Sequence, residues 1–169
     1  MTEIKTTRSI GIEQWWELAR QGIAPPVTIP LEGSSMQPLI RRGLDPVTIV
    51  PLQRPLRIGD VVLFTSGNGR FVVHRVWKLA PGRVRTFGDN CWNPDAWIPE
   101  SAVLGQVICY SRRGKTHRLD TPYARAWGRF WMALHPLRRC YLKLRQLAGR
   151  CYRRFFPKRF PGGDNAHGE

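Results

Sequence analysis

Three short stretches carry side chains whose types and spacing could do covalent chemistry. EGSSMQPLIRRG, residues 32–43, sets two hydroxyls, Ser34 and Ser35, between a Gly and a Met-Gln-Pro. A turn needs Gly and Pro but not Ser-Ser-Met between them, so a hydroxyl here is a candidate nucleophile as well as a turn residue. A nucleophilic Ser needs a base within hydrogen-bond reach and a group that orients the base. Of the four histidines, His117 lies in a basic strand-turn, His135 precedes Pro136, and His167 is near the end; only His74 sits in an apolar strand pattern, FVVHRVW (71–77). A neutral imidazole on a strand suits a general base near neutral pH, and it equally suits a packed core histidine. GDNCWNPD, residues 88–95, supplies Asp89 and Asp95 in a turn-rich loop. Either could hold the imidazole tautomer, or bond its own backbone in an Asx-turn.

The elements that must position these groups follow from periodicity. From Pro26 to about Leu119 the hydrophobic period is two, and PVTIPL (26–31), PVTIV (46–50), DVVLF (60–64), FVVHRVW (71–77), RVRTF (83–87) and VLGQVICY (103–110) read as strands. SGNG (66–69) and PG (81–82) mark hairpin turns. Alternation puts Val72, His74 and Val76 on one face and Phe71, Val73, Arg75 and Trp77 on the other. Pro46, Pro51 and Pro55 hold their segment at edges or in loops. The expected fold is mainly β, a coiled or barrel-like antiparallel sheet. In front, SIGIEQWWELARQ (9–21) predicts a short helix, with Ser9 as N-cap and Gly22 as stop. Ile12, Trp15, Trp16 and Ala19 share one face, expected to pack on the domain.

Behind the strands, residues 121–160 return to a helical period. Tyr123, Trp127, Phe130, Trp131 and Leu134 form one stripe, and Pro136 breaks it. Leu137, Cys140, Tyr141, Leu144, Leu147, Ala148, Cys151, Tyr152 and Phe155 form a second, with Arg and Lys over the remaining positions. FPGGDNAHGE reads as a frayed end. The expected division is a helical lead-in (1–25), a β domain (26–119), a basic amphipathic tail (120–160) and a disordered end (161–169).

The length of 169 residues suits one domain with an appendage. Charge is uneven: residues 1–111 carry +3, residues 112–160 carry +14 and residues 161–169 carry −2. The basic segment points to an anionic partner, membrane or nucleic acid. The four cysteines, Cys91, Cys109, Cys140 and Cys151, have no CxxC or zinc spacing, so reduced thiols are expected and neither metal nor cofactor. No run of 18 apolar residues predicts a membrane span, and MTEIKTTRSIGIEQ does not read as a secretory leader. The expected location is cytoplasmic, with a peripheral place at the inner membrane face open to it.

Taken in order, GSSMQP, RIGDVVLF (57–64), VVHRV (72–76), GDNCWNPD (88–95) and VLGQV (103–107) resemble the signal peptidase I and LexA-like serine peptidase superfamily over roughly residues 27–110. The resemblance implies that Ser35, directly before Met36, is the nucleophile. Bacterial signal peptidases and LexA-like proteins use a Lys where this chain has His74; Lys78 is four residues on, roughly 13 Å along an extended strand. A His here resembles the endoplasmic-reticulum and archaeal branch, whose orienting Asp follows the Gly-Asp aspartate by six residues. That implies Asp95 as orienter and Asp89 as a supporting residue, with Gly59 and Asp60 shaping the sheet. It also implies acyl transfer: Ser35 attacks a peptide carbonyl, His74 takes its proton, and water releases the acyl-enzyme. Backbone N–H groups beside Ser34, Ser35 and Met36 would meet the oxyanion. The hydroxyl that some members carry two residues before the nucleophile is replaced by Gly33. The substrate implied is an extended leader or precursor peptide, lying against an edge such as Val27 and Ile29 beside Gly33.

Residues 1–26 are too short for a helix-turn-helix domain. The only Ala-Gly, Ala148-Gly149, follows the catalytic stretches, so a self-cleaving switch is not expected. Two other readings stay open. One is a module that grips an extended peptide without cutting it. The other is an adaptor that uses the basic segment, residues 121–160, on anionic membrane or on nucleic acid.

Overall fold

β-branched runs punctuated by Gly and Pro fold residues 27–118 into eight strands. The computed structural model describes residues 11–52, 55–137 and 140. In chain order the elements are α1 (Ile12–Arg20), β1 (Val27–Ile29), β2 (Val47–Pro51), β3 (Val61–Thr65), β4 (Phe71–Ala80), β5 (Arg83–Phe87), β6 (Trp97–Pro99), a 3₁₀ turn (Glu100–Ala102), β7 (Val103–Arg112), β8 (Lys115–Arg118) and α2 (Pro122–Ala133). The strands form one open antiparallel sheet in the order β1-β2-β7-β3-β4-β5-β6, with β8 on β7. β7 is long enough to serve three partners: β3 pairs with its first half, β8 with its last residues, and β2 with residues from Gly105 to Tyr110. The fold is thus mainly β as expected, with a short helix before the sheet and one after it. β6 and β8 were not expected as strands. Three and four residues long, and mostly exposed, they carry too little periodic hydrophobicity to stand out.

The sheet buries both faces. On one, Met36, Ile40, Val47, Ile49, Val61, Leu63, Val73 and Val107 pack beneath Trp15 of α1. On the other, Leu56, Val62, Phe64, Val76, Val84 and Val103 form a second cluster. The alternation read along β4 holds, since Val73 joins the first cluster and Val76 the second. α1 packs through Trp15, whose indole N–H donates to Pro25 O at 2.7 Å. The helix begins after Gly11 with no side-chain cap, and Ser9 lies outside the described residues. At its other end Ile23 N–H bonds Leu18 O and Gly22 N–H bonds Ala19 O, the Schellman pattern that Gly22 predicts.

The chain divides into two units, Met1–Ala133 and Leu134–Glu169. α2 therefore belongs with the sheet. It docks with only part of the aromatic stripe: Gly128 and Met132 are buried and Trp131 is half-buried, its indole on Asp89 O, while Tyr123, Trp127 and Phe130 are 80%, 50% and 53% exposed. Gly128 lies where a Cβ would collide with the Arg75 guanidinium of β4, so the helix approaches β4 only because that position has no side chain. Of the second helical stretch, Leu137 and Cys140 are exposed, and the rest lies outside the described residues.

Candidate active site

His74 sits midway along β4, opposite Val62 of β3, with its ring 6.1 Å from that of Phe64. Its Nδ1 lies 2.6 Å from Asp95 Oδ2. Three further bonds hold Asp95. Thr86 Oγ1 donates to Oδ2 at 2.6 Å, Arg85 Nε donates to the Asp95 carbonyl at 2.8 Å, and Asp95 N–H donates to Thr86 O at 3.0 Å. A carboxylate can only accept, so Nδ1 carries the proton and Nε2 is the nitrogen left for chemistry. Burial opposes charging this ring. The Asp95 hydrogen bond, a contact with Cys91 and the charges of both outweigh it and raise the imidazole pKa to about 9.

The serine turn is fastened to the loop that carries Asp95. Asn90 N–H donates to Ser35 O at 2.7 Å, and Asn90 Nδ2 to Ser34 O at 3.3 Å. Met36 and Ile40 anchor the turn from below, each 1% exposed. Ser35 is half-buried and Ser34 exposed. Among the described residues no hydrogen bond engages the Ser35 and Met36 N–H groups or Ser35 Oγ. Ser35 Oγ and His74 Nε2 are therefore not joined. Nε2 instead faces Cys91 Sγ at 3.9 Å, a long sulfur contact. A Cβ on Gly33 would stand 3.8 Å from Ser35 Oγ, so position 33 does abut the hydroxyl.

The other carboxylate of the loop does different work. Asp89 forms a two-pronged pair with Arg75, Nε to Oδ1 at 3.0 Å and Nη2 to Oδ2 at 2.8 Å, with both side chains at most 2% exposed. Arg75 Nη1 also donates to Gly59 O, and Trp131 Nε1 of α2 donates to Asp89 O. Asp60, next to Gly59, is buried and accepts from Arg57 N–H while its carbonyl accepts from Val76 N–H.

An open groove of about 440 Å³ lies beside the imidazole, lined by His74, Asp95 and Phe64, the Ser66–Arg70 hairpin and Ile98 of β6. Val27 and Ile29, expected at the substrate edge, are not among its lining residues. β1 is the edge strand, but both side chains pack inward against the first core, and Thr28 bonds Thr48 instead. Lys78 is exposed, its ammonium over the Trp77 ring.

The structure thus joins His74 to Asp95 and tethers Ser35 by its backbone, and it puts Asp89 on Arg75. The residues missed at the sequence level are Thr86, Arg75 and Cys91. Cys91 lay inside GDNCWNPD in plain view. Thr86 and Arg75 looked like ordinary strand residues, and only their burial beside a charge marks them. Comparison with known proteins leaves the site to be argued from its own geometry, since no family model and no curated protein matches the chain.

Proposed function

We propose that the protein is a serine endopeptidase of the signal-peptidase type that cleaves a leader or precursor peptide through Ser35, His74 and Asp95. The observation that carries this reading is the 2.6 Å His74–Asp95 bond at the wall of an open groove, on the loop that also holds the Ser35 backbone. In the reaction His74 Nε2 takes the Ser35 proton as Oγ attacks the scissile carbonyl. Asp95 holds the Nδ1 proton and stabilises the imidazolium. The unengaged N–H groups of Ser35 and Met36 supply the oxyanion donors, and His74 returns its proton to the leaving amine. For this, Ser35 Oγ must come within hydrogen-bond reach of Nε2, the nitrogen now faced by Cys91.

Only the neutral imidazole can take the proton. Because the His74 pKa is raised to about 9, acylation should grow as pH rises through that value. A serine-directed acylating probe tests this on wild type, Ser35→Ala and His74→Ala, from about pH 6 to about pH 10. Labelling that needs both residues and climbs through pH 9 is expected. Labelling that survives Ser35→Ala, or none at any pH in folded protein, would sink the reading in favour of a non-cutting peptide module.

A second reading concerns where the enzyme works, and the exposed aromatics of α2 favour it. Tyr123, Trp127 and Phe130 face outward on a helix within the +14 segment 112–160, the composition of an interfacial membrane contact. Among the described residues no helix is long and apolar enough to cross a membrane. The protein should co-sediment with vesicles of anionic lipid and release as salt rises, and the double variant Trp127→Ala/Phe130→Ala should weaken binding. Equal binding to neutral vesicles, or to nucleic acid instead, would remove this reading.

A further inference from the structure

Cys91 occupies the place that a nucleophile paired with His74 should occupy, and the peptidase mechanism does not use it. Its Sγ is 3.9 Å from His74 Nε2, the nitrogen opposite the Asp95 bond, so thiol, imidazole and carboxylate lie in a row. Gly88 makes the approach possible. A Cβ there would fall 2.5 Å from Cys91 Sγ and 2.8 Å from His74 Nε2, and the Cys91 N–H bond to Gly88 O closes the turn that brings the two together. Cys91 is half-buried, so small reagents can reach it. We propose that Cys91 is a reactive thiol, activated by His74, that hydroperoxides oxidise to a sulfenic acid, and that this modification occupies Nε2 and closes the site to Ser35. The second half rests on the peptidase reading; the first does not.

The step balances as follows. The thiol proton passes to Nε2, and the sulfur attacks one peroxide oxygen. An S–O bond forms and the O–O bond breaks. Sulfur is oxidised by two electrons and the peroxide is reduced by two. The leaving hydroxide or alkoxide takes the proton from the imidazolium and departs as water or alcohol. The charged groups around this pair are few. Asp95 binds Nδ1, and Arg85 is spent on the Asp95 carbonyl. Arg75 points to the other face and is held by Asp89, and Arg70 lines the groove. Among the described residues the other described cysteines show no such contact. Cys109 sits in β7 opposite Thr48 and Arg118, and Cys140 is simply exposed, so both serve as internal controls.

The test is treatment of the full chain with hydrogen peroxide and a sulfenic-acid-trapping dione, read peptide by peptide by mass spectrometry, with iodoacetamide alkylation in parallel. Cys91 should be trapped and alkylated at least about tenfold faster than Cys109 or Cys140. His74→Gln should erase that advantage, and the milder Asp95→Asn should reduce it in folded protein. Ser35→Ala should leave it intact. Oxidation should also move the pH at which the His74 ring titrates by NMR, because the group facing Nε2 has changed. Equal rates at Cys91 and the control cysteines, or a rate unmoved by both His74→Gln and Asp95→Asn, would overturn the proposal, as would an unchanged His74 titration after oxidation. These readouts involve only Cys91 and His74, so a failure of Ser35 to acylate would be a separate result.

Discussion

Two neighbours on β4 each take one carboxylate from the same eight-residue loop, and the two pairs are built to opposite ends. Arg75 and Asp89 are sealed at 2% and 1% side-chain exposure and joined at two points. A Gly59 carbonyl, Gly128 and Trp131 pack around the pair. All three guanidinium nitrogens of Arg75 are bonded, so this pair is held in one geometry. His74 and Asp95 are joined at one ring nitrogen, and Asp95 is 28% exposed at the groove. Its imidazole titrates, and its second nitrogen is turned to a thiol rather than to the core. A charge pair held at every guanidinium nitrogen is a structural clamp; one with a titrating imidazole whose second nitrogen faces a thiol can do chemistry. The alternating faces of a strand put both on adjacent residues without interference.

Substitutions on the two sides should separate these roles. The largest effect is expected from Asp95→Asn, which leaves the loop length in place but removes the negative charge that fixes the Nδ1 proton and stabilises the imidazolium. Ser35 acylation should fall by roughly 10³–10⁴-fold, measured with the acylating probe at fixed pH. The same variant checks stability against pH. A histidine pKa raised from 6.5 to about 9 stabilises the fold by about 3 kcal/mol. That contribution is present in full below pH 6.5 and is lost as pH rises through 9. Wild type should therefore lose stability over that window in denaturant titrations, and Asp95→Asn should lose much less. Asp89→Asn should do the reverse. Leaving Arg75 buried against a neutral partner costs about 3–5 kcal/mol, seen as a lower urea midpoint, while the His74 titration keeps its inflection in protein that remains folded. If instead Asp89→Asn spares stability and abolishes acylation, the two roles have been assigned the wrong way round. The smallest expected change is a gain. Gly33→Ser puts a hydroxyl beside Ser35 Oγ and should raise acylation about tenfold. No gain would mean that the oxyanion forms elsewhere.

The sheet could be read from the sequence because its principal strands are short apolar, β-branched runs set apart by Gly and Pro. β6 and β8 could not, since WIP and KTHR are too short to show a period. The stripe Tyr123, Trp127, Phe130, Trp131 and Leu134 was legible as a helix face, but which of its members dock was not. Which face docks is decided by the need of the Arg75 guanidinium for a neighbour without a side chain, and apolar spacing does not report that. For the site, residue types alone left Asp89 and Asp95 equivalent. Only the family-like spacing separated them; in the structure Asp95 bonds His74 and Asp89 bonds Arg75. Ser35 was singled out the same way, and its hydroxyl is not bonded to His74. Cys91 was passed over because its significance lies in the turn at Gly88, a three-dimensional fact.

The loop from Asp89 to Asp95 can also be seen as a ruler. One end is pinned to a buried guanidinium and the other to an imidazole one residue away on the same strand but on its opposite face. The five residues between must therefore span from one side of the sheet to the other. Adding or deleting one residue there would release one pin or the other, whatever its identity, whereas replacing a side chain leaves the span intact. Outside Asn90 and Cys91, this segment should tolerate drift in composition and resist drift in length. An engineer seeking to retune the site would vary residues 91–93 in place and never lengthen them.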